Sequence, residues 1–119
     1  MDRADRRSNN TGNTDNTSAS RLWTVVVNWR QADATLACLA SLDRAGVDTS
    51  TIVVVDNDSG DDVVERVRAA HPTVTLLPQA ENLGFARAVD IGAHHAIAHG
   101  AAAVLVLNND APVRSTAGH

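Results

Sequence analysis

The chain has 119 residues, with ten arginines, no lysine, fourteen carboxylates and a formal net charge of -4. That length allows one domain with a modest core rather than two, and the acidic balance excludes a nucleic-acid backbone binder, which needs a basic face to neutralise phosphates. A single cysteine, Cys38, rules out an intrachain disulfide and fits a reducing compartment. No apolar segment approaches the roughly 20 residues that span a bilayer, and the start of the chain lacks the apolar stretch of a signal peptide. The expected location is therefore the cytoplasm, at most peripheral to the inner membrane.

Residues 1–20 are Asp, Arg, Asn, Ser and Thr with scarcely an apolar side chain. Such a segment cannot bury enough surface to offset its ordering entropy, so a disordered leader is expected there and a folded unit over 21–119. Four short apolar runs follow, Leu22 to Val27, Ile52 to Val55, Val74 to Leu77 and Ala103 to Leu107. Each is too short for a stable helix, and together they read as strands buried on both faces of a parallel sheet.

Between the first two runs, Leu36, Leu39 and Leu42 recur within Asp33 to Ala45, and Gly46 stands where a helix stops. A second helix is expected to start at Ser59, with its hydroxyl as cap and Asp62 as the acid three residues on, and to end before Pro72. A third, rich in alanine, runs from about Phe85 to His99 and closes at Gly100. The order β-α-β-α-β-α-β predicts an α/β fold, a Rossmann-like parallel sheet with right-handed crossovers.

In such sheets ligands bind outside the carboxyl ends of the strands, where strand order reverses. The corners to inspect are Asn28-Trp29, Asp56-Asn57-Asp58-Ser59, Pro78 to Asn82 and Asn108-Asn109-Asp110. Carboxylates at the second and fourth, with no lysine near, suit a divalent cation and a phosphate-bearing substrate. Asn and Asp also make good turns in their own right.

These corners resemble the nucleotide-binding half of a family-2 glycosyltransferase, with rhamnosyltransferase-like features. The resemblance runs from about Trp23 to Val113 and is carried by Val25-Val26-Val27-Asn28-Trp29 with Cys38 to Leu42, by Val53 to Ser59, by Glu81-Asn82-Leu83-Gly84-Phe85-Ala86-Arg87-Ala88, and by Leu105 to Asp110. It implies a truncated GT-A fold, with strand order 3-2-1-4 and a UDP- or dTDP-linked nucleotide sugar held between the ends of the first and fourth strands. Asn28 and Asp110 should then face one nucleotide. Asp56 would contact base or ribose with Asn28 and Asn57 in support, and the Asn82 to Arg87 loop would close over them. Asp110 matches the last acid of the family's Asp-x-Asp motif and would ligate Mg²⁺ or Mn²⁺, with Asn108 in the first position. The cation neutralises charge developing on the nucleoside diphosphate during inverting transfer to a glycan or lipid-linked acceptor.

Two departures stand out. Asp90 occupies a position where the family usually has Asn. The chain also ends at His119, before the family's second half, which carries the acceptor site and the catalytic base. Little activity alone, marginal stability and self-association are expected, and no catalytic residue is assigned. Two other functions compete: a non-catalytic nucleotide-binding or regulatory fragment, and a receiver-like signalling module with Asp56 as phosphoacceptor. Against the latter, the first strand lacks a following acid pair and the chain lacks lysine. Arg87, at the start of the third helix, opposes the dipole unless an anion sits there. His95 and His99 read as a polar helix face, Cys38 as a small core residue, Trp23 and Trp29 as packing residues, and Asp61 and Asp62 as dipole-favouring acids in the second helix's first turn.

Overall fold

The computed structural model describes residues 21–108. The expected leader, Asn109 and Asp110 lie outside the described residues. Four strands, β1 (Leu22–Asn28), β2 (Ile52–Asp56), β3 (Thr75–Pro78) and β4 (Ala103–Asn108), form one parallel sheet in the order β3-β2-β1-β4. Three helices, α1 (Ala32–Arg44), α2 (Val63–Ala70) and α3 (Phe85–Ala98), make the crossovers. This is the Rossmann-like architecture and strand order that the apolar periodicity and the resemblance predicted.

Side chains alternate across each strand, so the two central strands supply two cores. Val26, Ile52 and Val54 pack on one face with Leu39 of α1 and with Val63 and Val67 of α2. On the other face Trp23, Val25, Val27, Val53 and Val55 meet Ala88 and Ala96 of α3. The leucine spacing in α1 points Leu39 fully inward, with Leu36 and Leu42 half-buried beside it. Both α1 and α3 end as predicted. Val47 N–H and Gly46 N–H donate back to Leu42 and Asp43, Ala101 and Gly100 do the same to Ala96 and Ile97, and Gly46 and Gly100 take the left-handed backbone this closure needs.

Helix α3 lies close to the sheet because Gly92 carries no side chain. A Cβ there would stand 2.6 Å from Val25 Cγ1 and 3.1 Å from a methyl of Val55. Both are β-branched, fully buried and unable to swing away. Gly92→Ala should therefore destabilise the fold by about 1–3 kcal/mol despite alanine's better helix propensity. Urea denaturation checks this; an unchanged midpoint would show that α3 shifts freely on the sheet.

Two expectations need correction. The outer strands are not buried on both faces. β3 is half-buried and β4 exposes Leu105 and Val106, because each has a neighbour on one side only and the helices centre on β1 and β2. Nor does Ser59 cap the second helix. The helix begins at Val63, its N-cap position is Asp62 without a side-chain cap, and Val63 N–H donates to Asp61 instead. Ser59 is buried and used elsewhere, and Asp61 and Asp62 both lie before the helix rather than in its first turn, where Glu65 is the acid.

Candidate functional site

The chain order β1, β2, β3 proceeds in one direction and β4 then returns to the far side of β1, so strand order reverses between β1 and β4. At the carboxyl ends of these strands lies an open crevice of about 130 Å³, lined by Val27, Trp29, Asn57, Asn82, Gly84, Phe85 and Asn108. Complete ligand sites commonly measure roughly 300–1,000 Å³. The crevice therefore has room for part of a ligand, of the size of a base or a phosphate group.

Its walls come from four corners. Trp29 follows β1 and is 40% exposed, with the Arg30 guanidinium 4.7 Å from its ring centroid. Arg30 reaches that position from a left-handed backbone, φ +56°, which a non-glycine residue adopts only at some cost. Phe85, 41% exposed, begins α3. Asn57 follows β2, Asn108 ends β4, and Asn82 and Gly84 belong to the segment between β3 and α3. Two aromatic surfaces and three amides thus share one small space. The free N–H groups at the start of α3 lie at the same rim, where an anion is favoured.

Behind this wall is a polar knot that sequence reasoning saw only in pieces. Asn28 is fully buried. Its amide accepts from the Thr35 hydroxyl at 2.7 Å and donates toward Asp56 Oδ1 and Ser59 Oγ, both at 3.2 Å, and toward Asp61 Oδ2 at 3.4 Å. Ser59 Oγ stands 2.7 Å from carboxylate oxygens of both Asp56 and Asp61. Having one proton, it donates to one of them at a time.

Asp61 joins this knot to two helix starts. Besides Ser59 and Asn28 it accepts from Val63 N–H at α2, and it lies near the Ala32 N–H at the start of α1, whose own N-cap residue Gln31 makes no side-chain cap. Partial burial pushes the Asp61 carboxyl up, but the hydrogen bonds from Ser59, Val63 N–H and Asn28, with the nearby Ala32 N–H, together outweigh it, and the acid titrates below its ordinary value. One carboxylate thereby anchors α1, α2 and the β1 and β2 corners.

Of the residues expected to bind substrate, the structure brings Asn57, Asn82 and Asn108 together on the crevice wall. Asn28 and Asp56, the latter 7% exposed, lie in the knot rather than on that wall, and Arg87 is exposed in the first turn of α3. Asp110 lies outside the described residues. Sequence reasoning missed Trp29 as a wall residue and Asp61 as the hub, and had Phe85 only as part of the Asn82 to Arg87 loop. The available signal for Trp29 was a large aromatic directly after a buried strand.

For the implied cation, no group of three or more His, Cys, Asp or Glu gathers among the described residues. Asp56 and Asp61 are engaged in the knot. Asn108 alone of the expected ligand pair is described, and it stands on the crevice wall with an amide oxygen, a donor type that Mg²⁺ and Mn²⁺ accept.

At the opposite end of the sheet, His95 and His99 are not merely a polar helix face. Their rings stack 4.1 Å apart and lie 6.2 and 6.1 Å from that of Trp23, which they cover. Burial and the neighbouring His99 hold the His95 imidazole below its ordinary pKa. Cys38 is half-buried against the α1 core, and burial pushes its thiol up, as expected for a packing residue.

The family model for glycosyl transferase family 2 matches residues 23–114. The chain belongs to that family. No curated protein and no solved structure gave a match. Membership removes the support for a receiver-like module, and the sheet order observed here is the one the resemblance implied. No helix among the described residues is long and apolar enough to cross a membrane.

Proposed function

We propose that the crevice receives the base of a UDP- or dTDP-linked sugar, as part of the donor site of an inverting glycosyl transfer to a glycan or lipid-linked acceptor. The observation that carries this reading is the pairing of exposed Trp29 and Phe85 with three amides at the reversal point of the sheet. Aromatic faces stack on a base, and the amides of Asn82 and Asn108 hydrogen-bond its edge or the ribose while that of Asn57 holds the wall. Asp56, held in the knot behind the wall, is assigned the supporting role of fixing that corner, and Arg87, at the start of α3, is the charged side chain we assign to phosphate.

Near the crevice Arg30 is stacked on Trp29, which leaves Arg87 as the cation at the start of α3, and one guanidinium does not neutralise a diphosphate. We assign that task to Mg²⁺ or Mn²⁺ held by Asp110 with Asn108. When bound, the cation would neutralise the charge that develops on the leaving diphosphate.

The location of the site is checked by amide and indole chemical shifts on adding UDP with Mn²⁺-free Mg²⁺ buffer. Shifts should concentrate at Trp29, Asn57, Asn82, Gly84, Phe85 and Asn108. Changes confined to the Trp23, His95 and His99 end would place the ligand elsewhere and defeat the proposal.

A further inference from the structure

We propose that Asn57 is a positioning residue for the donor: it acts as a clamp that holds the crevice wall formed by residues 82–85, and this clamp sets donor affinity. The assignment rests on reading the crevice as the nucleotide site.

The main chain of Asn57 is itself fixed, since its N–H donates to Asn28 O at 2.9 Å, and only 2% of the residue is exposed. Its side chain then uses both ends of the amide on a segment 26 and 27 positions away. Oδ1 accepts from Leu83 N–H at 2.9 Å and Nδ2 donates to Gly84 O at 3.2 Å. Gly84 N–H is taken by Asn82 Oδ1 at 2.8 Å, and Gly84 holds φ +86° at the N-cap of α3.

These contacts matter because residues 79–84 form neither helix nor strand. Without a ladder to fix it, such a segment takes its position from side-chain hydrogen bonds. Gly84 O also accepts from Ala88 N–H at 3.1 Å, the first hydrogen bond of α3. Asn57 therefore pins the start of the helix that carries Phe85, together with the loop that carries Asn82. The clamp requires one acceptor and one donor on a short planar group, which asparagine supplies and aspartate does not.

Asn57→Asp keeps the shape and the acceptor toward Leu83 but turns a second acceptor toward Gly84 O. A protonated carboxyl at that atom regains the donor. Because the carbonyl disfavours the charged form, the new carboxyl should protonate above the ordinary carboxylate range. With UDP as probe in saturating Mg²⁺, Asn57→Asp should bind about 10-fold more weakly than wild type at pH 7.5, as expected for losing a buried hydrogen bond and adding a repulsive contact. The ratio of variant to wild-type affinity should recover as pH falls to about 5, whereas Asn57→Ala should show a loss that does not recover. Taking the ratio at each pH removes titration of the nucleotide and of other groups.

A second measurement needs no variant: the Leu83 amide of the wild type should be protected from hydrogen exchange although it lies in a loop. Fast exchange at Leu83 overturns the clamp even if Asn57→Asp fails to fold. Protected Leu83 with undiminished UDP affinity in Asn57→Asp overturns the positioning role while leaving the nucleotide reading intact. A wild type with protected Leu83 that binds no UDP overturns the nucleotide reading, and the positioning role with it.

Discussion

Asp61→Ala should lower the unfolding free energy by about 2 kcal/mol, although Asp61 is partly exposed and looks in sequence like an ordinary helix-start acid. It caps α2 through Val63 N–H and lies near the Ala32 N–H at the start of α1, and a lost cap typically costs about 0.5–2 kcal/mol. Solvent at this half-exposed site compensates part of the sum. Alanine would also leave Asn28, which is fully buried, and Ser59 each with one acceptor fewer. For a chain of this size the melting temperature should fall by about 10 °C. An unchanged melting temperature would mean that the knot does not tie the helices to the sheet.

The same residue predicts a pH signature. Its carboxyl is held below the ordinary value when folded, so the unfolded state binds its proton first as pH falls. The contribution is fully present above the unfolded-state pKa, near 3.9 for an aspartate, and is lost as pH falls through the folded value. The stability gap between wild type and Asp61→Asn should therefore be constant from neutral pH to about pH 5 and narrow below about pH 4. Denaturant midpoints across that range give the comparison directly, and a gap that widens in acid would contradict the assignment.

Trp29→Ala should weaken nucleotide binding by about 5- to 150-fold, since stacking of a base on an aromatic side chain contributes roughly 1–3 kcal/mol. The fold should scarcely respond, because the ring is 40% exposed and packs on Arg30 rather than in either core. Trp29→Phe should retain most of the affinity. Equilibrium titration with UDP together with a thermal melt separates the two effects: a large loss of stability with unchanged affinity would return Trp29 to a packing role.

The difference between Trp23 and Trp29 shows what was readable in the chain and what was not. Strands β1 and β2 were legible because Val25 to Val27 and Ile52 to Val55 can only be buried runs, and α1 because its leucines recur on one face. The crossover rules then left few topologies for four strands. The exposure of β4 was not legible, since an apolar strand looks the same in sequence whether helices cover it or not. Trp29 resembled Trp23 for a similar reason. Its exposure follows from the turn at Arg30, a backbone conformation that composition does not encode. The roles of Ser59 and Asp61 depended on contacts across 28 to 33 positions, between Asn28 and the β2 corner. Local capping rules assigned Ser59 to the adjacent helix because they consider neighbours in sequence alone.

The crevice itself was half visible. Asn57, Asn82 and Asn108 were found because strand ends are where such sheets bind ligands, but the same rule placed Asn28 and Asp56 beside them. Side-chain alternation separates these two groups. Val27 faces the α3 side whereas Val26 and Val54 face α1 and α2, and Asn28 and Asp56 continue the latter parity under the helix starts.

The central claim, that this crevice is a donor-nucleotide site, is tested most directly by calorimetric titration of UDP- and dTDP-sugars into the chain, with Mn²⁺ and again with chelator. Saturable binding of at least one donor, strengthened by Mn²⁺ and reduced by Trp29→Ala, is the result predicted. Absence of binding to every nucleotide sugar in both conditions would contradict it.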